Sequence, residues 1–294
     1  MAHTVEPLIL KSHDDTLGAD FYRPARGRRP PVIIMAHGFA AERKFGLPKF
    51  AAAFAEAGYA VVLFDYRGFG GSTGKPRELV SPSHHLEDWR AVLNQVKKRK
   101  DIDLKKIVLW GTSFSGGHVL TTAAREKNIK AVIAQVPHVD GLASTLMFPK
   151  HLLPQVSLLA AKDFAGSKIG RDPVRIPVVA QSGVRCLAES DCYDGYRAMI
   201  PEGSSWLGLV PARILLTISQ YRPIKEVSKI KCPVLLIAAR DDSLIPIQAV
   251  RATADKIKQI EFYEWPMGHF DPYHGQWFSD NLAAQLTFLK QQLA

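Results

Sequence analysis

The sequence predicts an α/β fold, a mostly parallel sheet covered by helices on both faces, and three observations carry that expectation. Short apolar runs rich in β-branched residues recur at VIIMAH (32–37), AVVLFDY (60–66), KIVLWG (106–111), AVIAQV (131–136), PVLLIAA (233–239) and IEFYEW (260–265). Most read as continuous rather than alternating, as strands buried on both faces do. Helix-length amphipathic segments lie between them: Leu86, Trp89, Leu93 and Val96 recur at helical spacing, as do Phe278, Leu282, Leu286, Leu289 and Leu293, and both stripes are expected in the core. The 294 residues, 47% hydrophobic and 22% charged, can bury a sizeable core and suggest neither disorder nor a fibrous class.

Ahead of the first run, EPLILKSHDDTLGADFYRP reads as an antiparallel hairpin turned at Asp14-Asp15, which brings the expected sheet to eight strands. From His138 to about Ser228 the alternation stops. Pro149, Pro154, Pro173, Pro177, Pro201, Pro211 and Pro223 there punctuate short apolar clusters. Some 90 residues are too many for a structureless loop in a compact domain, so the segment is expected to be a mainly helical insertion over the sheet. The expected division is a core of residues 1–137 and 229–294 with a cap of residues 138–228.

Thirty-eight Lys and Arg against 28 Asp and Glu make the chain basic, with the excess in short runs such as Arg26, Arg28, Arg29 and Lys97 to Lys100. No aromatic-interleaved RNA or DNA motif accompanies them, so they read as solvated surface and no nucleic-acid partner is expected. Cys186, Cys192 and Cys232 have no metal-ligand spacing and read as free thiols, with a Cys186–Cys192 bridge left open. No basic segment leads into a long apolar stretch at the N-terminus, and no run of about 18 apolar residues occurs. A cytoplasmic protein without stable membrane insertion is the expectation. The sequence leaves room for a homo-oligomer but does not set the oligomeric state.

Chemistry enters at LWGTSFSGGH (109–118). A serine nucleophile at a sharp strand-to-helix turn needs small residues two before and two after it, the pattern G-x-S-x-G. Ser113 has Gly111 before and Ser115 after; Ser115 has Ser113 before and Gly117 after. The apolar run ends at Gly111, so the apex of the turn falls on Ser113. A serine hydroxyl also needs a base within hydrogen-bond reach and an acid to orient that base. His269 follows the last strand and precedes the final helix, with Gly268 to free its loop, whereas His274 is a weaker second candidate. Asp242, three residues before Ile245-Pro246, is favoured over Asp241 as the acid. HGF (37–39) follows the strand VIIMA, so the amides of Phe39 and Phe114 are the candidate oxyanion donors. His3, His13, His84, His85 and His151 read as surface or satisfied core groups, while His118 and His138 could line a pocket.

In order along the chain, HGF, GTSFSG, DDSLIP and GHF resemble the α/β-hydrolase superfamily, and DYRGFGGSTG (65–74) looks like the loop after its fourth strand, where Asp65 and Arg67 are structural. GTSFSGGH and GHFDPY are most similar to bacterial dienelactone-hydrolase-like and fungal polyketide-transferase-like members. That resemblance implies an α/β-hydrolase fold with a helical cap and a serine hydrolase acting on a small-molecule ester, thioester or lactone without metal or organic cofactor. The departure from dienelactone hydrolases proper, which use cysteine where Ser113 stands, points to an ester or acyl substrate. An acyl or polyketide transferase using the same three residues, their use on a peptide or carbon–carbon bond, and a non-catalytic ligand-binding protein are the competing expectations. Leu146, Met147, Phe148, Leu152, Leu153, Trp206, Leu207 and Leu209 are the residues of the insertion expected to wall an acyl pocket.

Overall fold

The computed structural model describes residues 3–294. Strands β1 (His3–Ser12) and β2 (Asp15–Pro24) form the hairpin. Its turn sits at His13 and Asp14, one residue earlier than the Asp pair implies, because His13 itself takes the left-handed conformation (φ 54°) and Asp15 already pairs with Ser12. The chain continues through β3 (Val32–Ala36), α1 (Pro48–Glu56), β4 (Ala60–Phe64), α2 (Pro82–Val96), β5 (Ile107–Thr112), α3 (Phe114–Arg125) and β6 (Ala131–Gln135).

After β6 come α4 (Gly141–Met147), α5 (Leu153–Lys168), β7 (Arg175–Pro177), α6 (Cys192–Arg197), β8 (Leu209–Pro211) and α7 (Ile214–Thr217). The antiparallel β7–β8 ribbon was not expected: three-residue strands bounded by proline carry no periodicity to read. The segment is anchored by charge. Arg222, at its exit, grips Asp140, at its entry, at 2.7 and 2.8 Å. The buried Asp163 of α5 receives Arg213 Nε and the amides of Val174 and Arg213. The chain closes with β9 (Val234–Ala239), α8 (Ile247–Ala254), β10 (Ile260–Trp265) and α9 (Gly275–Leu293).

The eight-stranded sheet has the order β1-β2-β4-β3-β5-β6-β9-β10. The hairpin is antiparallel and β2 joins β4 antiparallel, while every later pairing is parallel. Every residue of β3, β4, β5, β6 and β9 is buried, which is why these runs are apolar without alternation. Alternate residues feed two cores. Ile34, Val62, Leu109 and Leu236 pack with Trp89 and Leu120, whereas Ile33, Leu63, Trp110 and Ile237 pack with Phe50, Phe54, Phe288 and Leu289. No helix among the described residues is long and apolar enough to cross a membrane. The carboxyl ends of β3, β5, β6, β9 and β10 therefore share one rim, where a parallel sheet places its ligand site.

Candidate active site

Ser113 sits between β5 and α3 with φ 53° and ψ −120°, a strained conformation for a residue with a side chain. Its neighbours permit it. A Cβ on Gly111 would lie 2.2 Å from the Ser115 carbonyl oxygen, and one on Gly117 2.2 Å from that of His138. Ser115, where the motif has its last glycine, is fully buried, and its Oγ lies 2.7 Å from Tyr66 Oη, which also accepts a hydrogen bond from Trp89 Nε1 at 2.8 Å. The second serine is thus committed to the core, with its hydroxyl bonded to Tyr66.

His269 and Asp242 arrive from the loops after β10 and β9. Ser113 Oγ lies 2.9 Å from His269 Nε2, and His269 Nδ1 lies 2.7 Å from Asp242 Oδ2. The other carboxylate oxygen, Oδ1, accepts the amides of Leu244 and Ile245, both at 2.8 Å. The spacing before Ile245-Pro246 therefore reflects a turn closed by the aspartate itself. Asp241 is exposed, as is His274 at the start of α9. Gly268 does not act through backbone freedom: it is not in the left-handed region, and its amide donates to Asp271 at 2.7 Å. Asp242 and His269 are almost fully buried, so the imidazole bridges two partners in a setting of low dielectric, where each hydrogen bond is strengthened.

Phe39 and Phe114 flank the serine. A Cβ on Gly38 would approach Ser113 Cβ to 3.0 Å, which shows how closely the HGF loop lies on the turn. The two phenyl rings meet edge to face at 5.6 Å. Neither the Phe39 nor the Phe114 amide donates to a backbone carbonyl in the turns and loops of the described residues. Phe114 N–H belongs to the first turn of α3, where unpaired amides and the helix dipole favour negative charge.

A cavity of about 200 Å³ opens at Ser113 and His269, walled by Phe39, Phe114 and His138 from the sheet side and by the segment after β6. Of the residues expected to line it, Met147, Phe148 and Leu153 do. Leu152 joins a small cluster with Val156 instead, and Trp206 stacks on Tyr196 and donates to the Ala40 carbonyl at 3.0 Å. Leu146 and Leu207 are 74% and 72% exposed, and Leu209 pairs within β8. Val156, Leu187, Leu215, Ile218 and Leu244 extend the apolar wall, with Thr145, Ser157, Glu189 and Ser243 among its polar lining; none was foreseen, since an irregular segment gives no inside-facing stripe. A smaller cavity of about 40 Å³ touches Ser113 and His269 from the side of His37, Tyr196 and Tyr273.

The remaining histidines divide sharply. His138 lines the larger cavity, and burial holds its pKa down at about 4, so it is a neutral imidazole. His118 does not line it: with His85 it forms a sealed pair, His85 Nδ1 to His118 Nε2 at 3.2 Å and His118 Nδ1 to Tyr221 Oη at 2.6 Å. Burial pushes both imidazoles well below their ordinary pKa.

Asp65 accepts the Arg43 guanidinium and the amides of Arg43 and Gly71, while Arg67 grips the buried Asp88. Both are structural, though Arg43 and Asp88 as partners were missed. Beneath the rim, Gln135 joins Thr112, Asn281 and Gln285 in a buried network. Two polar residues four apart within the apolar stripe of α9 were its one visible signal. Cys186, Cys192 and Cys232 are free, the first buried in the cavity wall with its thiol pKa raised by burial. Among the described residues no three His, Cys, Asp or Glu side chains converge as metal ligands would.

Comparison with known proteins agrees with this architecture. The model of the alpha/beta hydrolase fold matches residues 31–275. The quorum-quenching protein AidA of Acinetobacter baumannii is 39% identical over 281 residues, 95% of this chain and 92% of that protein. Polyketide transferase af380 of Aspergillus fumigatus is 28% identical over 273 residues, 90% of this chain and 91% of its own. The crystal structure of the alpha/beta hydrolase GrgF from Penicillium superposes with a TM-score of 0.85 at 25% identity, covering 98% of this chain and 99% of that one.

Proposed function

The chain belongs to the alpha/beta hydrolase fold family, and on that premise we propose that it is a serine hydrolase of carboxylic esters, working through an acyl-enzyme on Ser113. The observation that carries the reading is the unbroken line Asp242–His269–Ser113, at 2.7 and 2.9 Å, ending in an apolar cavity. Ser113 Oγ attacks the scissile carbonyl as its proton passes to His269 Nε2. Asp242 accepts the Nδ1–H bond and stabilises the imidazolium that forms, while the Phe39 and Phe114 amides donate to the oxyanion. His269 then gives its proton to the leaving alcohol or thiol, and water, activated by the same imidazole, releases the acid. The larger cavity, about 200 Å³, takes an acyl chain of small or medium length, since a cavity of about 150 Å³ already holds benzene.

Transfer of the acyl group to another acceptor is the second reading, favoured by the likeness to a protein named as a polyketide transferase. Against a bulky acceptor stands the smaller cavity, whose 40 Å³ is about a fifth of the larger one's volume. A thioester substrate has its own support in a relative from Aspergillus aculeatus, named thiohydrolase aneE and 26% identical over 276 residues. The test is a series of p-nitrophenyl esters from acetate to decanoate. Turnover should peak at short to medium chains, begin with a burst of nitrophenol, and fall by about a thousandfold or more in Ser113→Ala. Turnover that waits for an added alcohol or amine would move the assignment to the transferase, and unaltered activity in Ser113→Ala would end it.

A further inference from the structure

The mechanism makes no use of His138, although it stands beside the reacting groups. It follows β6, its amide donates to the Ser113 carbonyl at 2.8 Å, and its ring packs against Phe114 at 5.3 Å and lies parallel to Tyr221 at 6.2 Å. The ring is therefore held on two sides and oriented without any hydrogen bond. Nε2 is enclosed with no partner, and no hydrogen bond among the described residues reaches Nδ1, yet His138 lines the larger cavity and is 7% exposed. On α4, the buried Oγ of Ser144 also lacks a partner and belongs to a residue of the same wall. Across the site, the buried Oγ of Ser243, next to Asp242, is a third such atom of the lining, whereas Met147, Phe148, Leu153, Val156, Leu215 and Ile218 give the cavity its apolar surface.

Buried polar groups without partners are uncommon because each forfeits its hydrogen bonds to water on folding. Three of them around one mainly apolar cavity, His138, Ser144 and Ser243, mark a requirement left for the ligand to meet, and of the three His138 offers both a donor and an acceptor on a ring held in place. Resting on the acyl-enzyme reading, we propose that His138, supported by Ser144, is a specificity-determining residue that hydrogen-bonds a second oxygen of the acyl group, a carbonyl or hydroxyl near the scissile carbonyl. The natural substrate class is then oxygenated acyl esters or thioesters, not plain alkanoyl ones. A neutral imidazole suits both forms of that oxygen, since it donates to a carbonyl through one nitrogen and accepts from a hydroxyl through the other. The attraction is strong in discrimination because a plain chain leaves the imidazole unpaired in the complex.

The experiment compares p-nitrophenyl hexanoate with its 3-oxo and 3-hydroxy counterparts as substrates of the intact protein. Wild type should favour at least one oxygenated ester by about tenfold or more in kcat/KM. His138→Phe, which keeps an aromatic ring against Phe114 and Tyr221, should bring that ratio to about one, and Ser144→Ala should lower it by less; His138→Gln, which keeps a donor and an acceptor, should retain part of it. Equal kcat/KM for the plain and oxygenated esters in wild type overturns the inference without any variant. So does a His138→Phe protein in which the ratio persists, or in which all three esters fall together, as a purely structural role would produce. Turnover of hexanoate that depends on Ser113 but shows no preference removes this inference alone, whereas no Ser113-dependent turnover of any ester removes the acyl-enzyme reading with it.

Discussion

His269 and His118 each stand in a hydrogen-bonded line with a hydroxyl at one end, and the two lines behave differently. The first runs from Asp242 through His269 to Ser113 and opens on a cavity. The second runs from His85 through His118 to Tyr221, with no carboxylate in it and no residue of the His85–His118 pair on a cavity wall. The serines repeat the contrast: Ser113 faces His269, and Ser115 is paired with Tyr66 in the core. Residue types alone do not make a reactive group. A carboxylate to hold the imidazolium and a hydroxyl on the same cavity do; the second line has no carboxylate, and its Tyr221 end lies at a different cavity from Ser113, so its role is to satisfy polar groups between α2, α3 and the inserted segment.

The contrast is sharpened first at the acid. Asp242→Asn should lower kcat/KM for a short ester by about a thousandfold or more, because the amide favours the wrong tautomer of His269. Asp241→Asn, at an exposed position, should stay within a few fold of wild type, and comparable losses in both would break the distinction. Fluorophosphonate labelling followed by mass spectrometry should place the adduct on Ser113 and none on Ser115.

A smaller effect is expected in the sealed line. His118→Phe leaves His85 Nδ1 and Tyr221 Oη without their partner and should cost about 1–3 kcal/mol of stability in urea unfolding. Labelling of Ser113 should survive it. A loss of labelling in folded protein would mean that the two lines are coupled.

An effect of similar size is expected in pH. His85 and His118 titrate well below their ordinary range and His138 at about 4, burial being the first cause in each. Between pH 6.5 and about 4 the unfolded chain binds protons that the folded chain does not, so stability falls as the pH drops through this window. Each such histidine steepens the fall by about 1.4 kcal/mol per pH unit. His138→Gln should flatten the slope by that amount relative to wild type, while carboxylate contributions cancel in the difference. An unchanged slope would show that the His138 imidazole protonates in the folded protein.

Much of the sheet and of the rim was legible because it rests on local rules. Continuous apolar runs report strands buried on both faces, and one of them pointed to a turn at Ser113, where the structure has it, although β5 runs one residue past Gly111 to Thr112. Asp242 was separable from Asp241 by its distance to Ile245-Pro246, a turn that its own Oδ1 closes. The segment after β6 was far less legible. Of eight apolar residues expected in the pocket, only Met147, Phe148 and Leu153 line it. In short irregular elements, whether a leucine points inward depends on neighbours far away in sequence, and Leu207 and Trp206 are adjacent residues with opposite fates.

What the chain by itself determined was the alternation of strands and helices, the order of the loops carrying Phe39, Ser113, Asp242 and His269, and the turn at which the serine is presented. These follow from backbone sterics and burial, which act over a few residues. Tertiary structure alone decided that Ser115 is spent on Tyr66, that His118 is sealed with His85, and that His138 reaches a cavity with its nitrogens unpaired. The physical reason is that a polar side chain's role depends on which partners and how much water surround it, and both are supplied by residues brought near only when the sheet closes.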